Sequence, residues 1–278
     1  MLLTGMIFLT VNKEDICAAI AQLGLAGKVL CIHASYKSFG SIHGGITALI
    51  EPFLENGCTL LVPTFTYMYG LPLSSGRRIE QNGCDDRLAE PLSETGVFDP
   101  GSNRISQEMG AIPAHVLQIA GRVRGVHPLN SFTAIGTNAQ ELIEAQGYLQ
   151  VYGPYQKIYQ EKDAALILMG VDLTKATPVH FAEQMAGRRL LRRWANDPRG
   201  ETCEVAVGSC SDGFNNLERY VQGIERRRIV GGSHWRIYPF REFVASLAAA
   251  IRQDNMITHC ANPNCLRCND TVKGGPIV

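Results

Sequence analysis

The chain has 278 residues, with 26 basic and 26 acidic side chains and a 45% share of hydrophobic residues. That apolar share, set beside 19% charged residues, excludes disorder or coiled coil as the main state, and no run approaches the roughly 18 apolar residues of a membrane span. Zero net charge argues against nucleic acid or an anionic membrane as a partner of the whole surface, while leaving room for a local phosphate site.

The start, MLLTGMIFLTV, lacks a basic leader and a small-residue cleavage site and reads as mature chain. After Asn12, a candidate N-cap, Ile16, Ala19, Ile20 and Leu23 recur at helical spacing. Residues 29–32 form a short apolar run that reads as a buried strand. Ile46, Leu49, Ile50, Phe53 and Leu54 mark a second helix, against which Pro52 counts as a kink. Residues 59–62 predict another buried strand, stopped by Pro63. The stretch 70–104, rich in Gly, Pro, Ser, Asp and Arg, has no sustained period, as functional loops often do not.

Further on, a helix is predicted over 112–119, a strand over 131–135 and a short helix over 139–145. Residues 164–169 are the most apolar strand candidate. Thr177-Pro178 fits an N-cap and first helical position, opening a helix that Gly187 ends. A strand near 204–207, a helix through Leu217, Tyr220, Val221 and Ile224, and a clear amphipathic helix from Pro239 to Ile251 follow. Strands alternating with helices predict an α/β fold, with any antiparallel strands placed late.

The segment from His33 to Gly45, HASYKSFGSIHGG, joins the first strand to a helix. Small residues let the backbone approach a ligand, and a helix N-terminus favours an anion, so the loop suits a pyrophosphate; a merely tight turn is the alternative. It is neither the dinucleotide fingerprint G-x-G-x-x-G nor a P-loop. Lys37 and His43 read as solvated loop residues.

This segment resembles the H-[ST]-S-L-x-S-[LF]-G-x-[VI]-x-G-G block of the aminoglycoside 3-N-acetyltransferase family. Three more blocks agree in order: LVPTFT at 61–66, HPLNSFTAIG at 127–136, and Gly170-Val171 with TPVHFAE at 177–183. The resemblance implies an acetyl-CoA-dependent N-acetyltransferase with the family's own α/β fold: one elaborated domain over 1–278, with a mixed central sheet flanked by helices. It places His33, Ser35, Ser38, Gly40, Gly44, Gly45, Thr64, His127 and Ser131 beside the cosubstrate. His180 and Glu183 fall on the family's catalytic positions. An imidazole suits removal of a proton from an attacking amine, and Glu183, three residues on, shares its helix face. The expected reaction is direct transfer in a ternary complex, with backbone donors holding the oxyanion. A covalent acyl-enzyme is the competitor, since Ser35, Ser131 and nine cysteines are present, though none sits in a G-x-S-x-G elbow.

A cationic acceptor, an aminoglycoside or another amine, calls for carboxylates. Asp85, Asp86, Glu90, Glu94 and Asp99 crowd the irregular stretch, Asp172 lies near the His180 helix, and Asp99, Asp172 and Glu183 are the candidates for the acceptor. Arg77, Arg78, Arg87 and Arg104 share that stretch. The pairs Arg188-Arg189 and Arg192-Arg193 and the run Arg226-Arg227-Arg228 read as solvated faces rather than contacts to the CoA 3′-phosphate. Tyr152-Gly153-Pro154 through Tyr159 departs from the family's G-S-P-x-x-x-L-Y stretch. Rival readings are an acyltransferase for another amine or acyl-CoA, a CoA-binding module without catalysis, and a serine hydrolase. A homodimer is allowed for.

Nine cysteines, an odd number, without a secretion signal favour a reducing, cytoplasmic setting. In the tail over 259–278, Cys260, Cys265 and Cys268 with His259 offer a structural zinc site, with packed or free thiols as the alternative. Adjacent His259 and Cys260 cannot easily both ligate one tetrahedral ion. No catalytic metal is expected.

Overall fold

The computed structural model describes residues 10–72, 78–84 and 96–278. Asp85, Asp86, Glu90, Glu94, Arg77, Arg87 and the first nine residues lie outside that range.

Among the described residues, ten strands and eight α-helices alternate along much of the chain. Helix α1 (Lys13–Gln22) starts at a capping box, in which Asn12 accepts from the Asp15 N–H and the Asp15 carboxylate accepts from the Asn12 N–H. Strand β1 (Val29–Ala34), helix α2 (Gly45–Glu55) and strand β2 (Thr59–Pro63) follow. Pro52 stays inside α2, buried in its last turns, where one lost backbone bond is tolerated. Strand β3 (Gly70–Leu71), helix α3 (Ala111–Val116), strands β4 (Val123–Arg124) and β5 (Phe132–Ile135), and helices α4 (Ala139–Glu144) and α5 (Gly153–Gln160) lead to strand β6 (Ala165–Met169). Then come α6 (Pro178–Met185), β7 (Leu191–Asn196), β8 (Thr202–Val207), β9 (Arg226–Val230), β10 (Ser233–Pro239), α7 (Phe240–Gln253) and α8 (Leu266–Thr271).

Seven strands form one mixed sheet in the order β4-β5-β2-β1-β6-β10-β9, and β3-β7-β8 form a small antiparallel sheet. The three central strands β2, β1 and β6 run parallel. They are buried on both faces, which is why their sequences are continuous apolar runs rather than alternations. Leu30, Ile32, Leu60, Val62, Ile167 and Met169 face the core with Ile16, Ile20, Leu49, Phe53 and Val116 of α1–α3. Cys31, Leu61, Leu166 and Leu168 face the core with Tyr155, Val179, Phe243 and Leu247 of α5–α7. Among the described residues no helix is long and apolar enough to cross a membrane.

Two expectations change, and one hairpin was not anticipated. Antiparallel pairing is not confined to the end, because β5 pairs antiparallel with β2 in mid-chain. The predicted helix through Leu217 to Ile224 is two 3-10 segments, Phe214–Tyr220 and Gln222–Ile224. The hairpin β9–β10 escapes the hydrophobic pattern, since four residues of β9 are exposed.

From β1 the chain crosses through α2 to β2 on one side, while β6 enters the sheet on the other. The carboxyl ends of β1 and β6 therefore make a topological switch point, where α/β sheets open a ligand crevice. The Ser35 N–H donates to Met169 O across it at 2.9 Å. Gly170, just past β6, has φ +64°, and a Cβ there would stand 2.2 Å from Ser38 Cβ. Gly170→Ala should lower stability by about 2–4 kcal/mol through strain and overlap, read as a fall in the urea midpoint with an unchanged slope.

Candidate active site

Helix α6 leaves the switch point directly. Pro178 occupies its first position, but Thr177 has helical dihedrals and makes no side-chain cap bond, so the expected N-cap is absent. The helix presents His180 and Glu183 on one face. His180 Nδ1 donates to Glu183 Oε2 at 2.9 Å, which leaves the Nε2 lone pair of the neutral imidazole for chemistry.

The carboxylate is itself enclosed. Glu183 Oε1 accepts from Arg188 Nη1 at 2.6 Å and from Thr258 Oγ1 at 3.1 Å, and Ser209 Oγ reaches Oε2 at 3.5 Å. Arg188 Nη1 also donates to Thr258 Oγ1, and its Nη2 donates to Asn255 O. Glu183 is 2% exposed and Arg188 7%. A buried carboxylate survives only when its oxygens are matched this completely.

Aromatic rings and one glycine fix the imidazole plane. His180 stacks on Tyr152 (centroids 6.3 Å, planes 8° apart) and meets Phe214 edge-on at 4.8 Å. A Cβ on Gly208, just past β8, would stand 2.6 Å from both His180 Cδ2 and the Tyr152 hydroxyl, so only glycine lets the chain pass the ring.

The loop after β1 lies at the crevice. It turns through Gly40 (φ +79°), Gly44 (φ +81°) and Gly45 (φ +67°), and a Cβ on Gly40 would face open space. The Ser38 hydroxyl donates to Ser35 O at 2.7 Å and lies 2.8 Å from Ser233 Oγ, so it braces the loop.

Other expected site residues are engaged by the protein instead. His33 is 6% exposed, its Nε2 3.7 Å from Cys31 Sγ, and burial pushes its pKa down to about 3. Thr64 and Ser131 are fully buried: their hydroxyls lie 3.4 Å apart, Ser131 Oγ donates to Thr64 O, and Arg124 Nε donates to Ser131 Oγ. His127 Nδ1 accepts from the N–H groups of Leu129 and Asn130, and Nε2 donates to Ala206 O at 2.9 Å. Burial holds this imidazole down at about 4. His33, Thr64, His127 and Ser131 are thus buried and hydrogen-bonded within the protein, and His127 anchors β8, which leads to Gly208.

The acceptor candidates also carry hydrogen bonds within the protein. Asp99 caps a turn by accepting from the Gly101 N–H at 2.7 Å. Asp172 accepts from the Thr174 N–H, the Thr174 hydroxyl and Asn215 Nδ2. Glu183 serves His180 and Arg188. The arginine pairs are not uniformly solvated: Arg188 is interior, Arg192 and Arg193 are half-buried against Glu204 and Asn82 O, and Arg189 is exposed while donating to Pro276 O.

Arg188, Ser209, Asn255 and Thr258 were missed. Arg188 follows α6 closely enough to fold back on Glu183, a weak local signal. Thr258 lies 75 residues from Glu183, and no local pattern marks it.

The model of the aminoglycoside 3-N-acetyltransferase family matches residues 31–252. The aminoglycoside N(3)-acetyltransferase IV of Salmonella sp. is 27% identical over 259 residues, covering 88% of this chain and 89% of that protein. The crystal structure of aminoglycoside acetyltransferase AAC(3)-IVa as apoenzyme superposes with a TM-score of 0.78 at 21% identity, over 96% of this chain and 99% of the other. A histidine-to-alanine variant of that enzyme, in complex with a gentamicin, superposes with a TM-score of 0.76 at 21% identity, over 97% and 99% of the chains. The chain belongs to the aminoglycoside 3-N-acetyltransferase family and is an acyltransferase.

Replacing Glu183 by Gln leaves Arg188 as an uncompensated buried charge and should lower stability by about 3–5 kcal/mol, measured by urea unfolding. His33 and His127 give a separate pH signature. Their folded values of about 3 and about 4 lie below the ordinary 6.5, so the unfolded chain takes up protons first as pH falls. Stability is full above about pH 6.5 and declines below it, by about 2 kcal/mol for each imidazole at about pH 5. Unfolding midpoints at about pH 7.5 and pH 5 measure the fall, while imidazole NMR shifts should show both rings neutral in the native state.

Proposed function

We propose that this family member transfers an acetyl group from acetyl-CoA to an amino group of an aminoglycoside or related amino sugar, by direct attack within a ternary complex with His180 as general base. The observation that carries the reading is the hydrogen bond from His180 Nδ1 to a fully enclosed Glu183. It sets the tautomer that offers Nε2 as proton acceptor and steadies the imidazolium that forms.

The loop Ser35–Gly45 fits the anionic cosubstrate. Its glycines bring backbone close to a ligand, Gly40 faces open space, and the loop stands at the crevice beside α6. Ser35, Gly40, Gly44 and Gly45 are the residues assigned to that contact. Bound there, acetyl-CoA supplies a thioester carbonyl as acyl donor. The chain orients the acceptor nitrogen, and His180 Nε2 takes the proton that nitrogen sheds as its bond to the acetyl carbon forms. The carbon–sulfur bond breaks to release the CoA sulfur, to which the His180 imidazolium returns that proton to give the free thiol. Glu183 does not touch the acceptor; it positions His180.

Direct transfer is favoured over an acyl-enzyme by the engagement of the nucleophiles. The Ser131 hydroxyl is buried between Thr64 and Arg124. Among the described residues no serine or cysteine hydrogen-bonds the His180 ring.

Thiol release from acetyl-CoA with a panel that includes gentamicin and apramycin tests the reaction. His180→Ala should lower kcat by about 10²–10⁴ while acetyl-CoA binding persists. Normal turnover by that variant, or an acetyl group trapped on a serine or cysteine by mass spectrometry, would sink the mechanism.

A further inference from the structure

Four cysteine sulfurs converge behind the His180–Glu183 pair. Cys210 follows β8, Cys260 follows α7, Cys265 immediately precedes α8 and Cys268 lies within it. Their four Sγ atoms all lie within 4.8 Å of one another. The acyl transfer proposed above uses none of them. His259, the ligand that sequence spacing suggested, is turned to protein partners: Nδ1 lies 2.7 Å from Cys260 O and Nε2 2.8 Å from Asn269 Oδ1. Cys210, 50 residues before Cys260 in the sequence, stands in its place.

We infer that Cys210, Cys260, Cys265 and Cys268 bind one zinc ion as a structural tetrathiolate site. Tetrahedral zinc with sulfur at about 2.3 Å has sulfur–sulfur edges of about 3.8 Å, so the sulfurs need close by about 1 Å at most. Four soft sulfurs in one cluster select zinc over hard cations. The Cys260 N–H donates to Cys268 Sγ at 3.4 Å, a contact that stabilises a thiolate.

The segment between α7 and α8 explains why a metal is useful. It has no helix or strand, and residues 261–264 are exposed, so little apolar burial holds it. Yet it carries Asn255 and Thr258, which frame Arg188 and Glu183. The other anchor, Cys210, adjoins Ser209 and Gly208, which touch Glu183 and His180. One ion joining the two segments fixes the frame of the carboxylate from behind. That consequence for turnover rests on the roles assigned above to His180 and Glu183; occupancy of the site does not.

The full chain, purified without chelator, is assayed for metal by plasma mass spectrometry, and cobalt is then substituted for spectroscopy. The expected result is about one zinc per chain and the thiolate charge-transfer and tetrahedral bands of cobalt. Cys210→Ser and Cys265→Ser should each fall below about a tenth of an equivalent, while Cys17→Ser, on α1, retains the metal. Stripping zinc should raise amide exchange in 208–213 and 255–260 and lower kcat about tenfold, with acetyl-CoA binding unchanged. Less than about a tenth of an equivalent in the parent chain after incubation with zinc, iron in its place, or a disulfide among the four cysteines would overturn the site. If the serine variants are insoluble, the cobalt spectrum of the parent chain decides by its thiolate count. Equal turnover with and without zinc would overturn the link to Glu183, and zinc content would still be read independently.

Discussion

The buried carboxylate of Glu183 is the constraint on which the site depends. An ionised oxygen pair at 2% exposure is unfavourable unless each oxygen has a donor, and here the donors come from four places: His180 one turn back, Arg188 just past α6, Ser209 after β8 and Thr258 after α7. Each of these segments is anchored in turn. β8 is held through Ala206 by His127, and Arg188 is held through Asn255. The geometry of one imidazole is thus the outcome of a packing problem that involves most of the second half of the chain.

The parallel core solves the complementary problem of the anion. Because β1 and β6 are neighbours whose connections diverge, their carboxyl ends open a crevice without any special sequence. What the sequence adds is the fit between loops: Ser38 ties the turn after β1 to Ser233 at the start of β10, and Gly170 lets the turn after β6 lie against Ser38. A loop suited to a flexible phosphate-bearing ligand is therefore rigid at its base and open at Gly40. The small antiparallel sheet adds the wall behind His180 through Gly208. The Tyr152–Tyr159 stretch, which departs from the family pattern, starts with the ring that stacks on His180.

The α/β class, the central strands, α1, α2, α6 and α7 were legible because burial leaves a period or an unbroken apolar run. The hairpin β9–β10 was not, because an edge strand of arginines has neither. His180 and Glu183 were legible as an i, i+3 pair made meaningful by the family blocks. Thr64, His127 and Ser131 were legible as important, but their intraprotein bonds were not: a motif marks a residue without saying which neighbours hold it. The turn-capping bonds of Asp99 and Asp172 were not legible, because a carboxylate that caps a turn looks, in sequence, like one that waits for a cation. Arg188 was misread because a pair of arginines suggests solvent, whereas only the fold brings Glu183 underneath it. Thr258 and Cys210 depend on contacts between segments far apart in the chain, and local spacing is silent about those.

The partners of Glu183 also set an order of events during synthesis. The crevice strands and α6 precede Asn255 and Thr258, and 75 residues separate Glu183 from Thr258. The earlier part emerges and collapses first, at about 5–20 residues each second. For that interval α6 carries a carboxylate whose enclosure is incomplete, so it can still exchange with water. The enclosure of Glu183 is complete only when the segment after α7, with Asn255 and Thr258, is present. A premature stop that spared every residue of the sheet and of the family blocks would still remove the Thr258 donor from Glu183 and the Asn255 acceptor from Arg188.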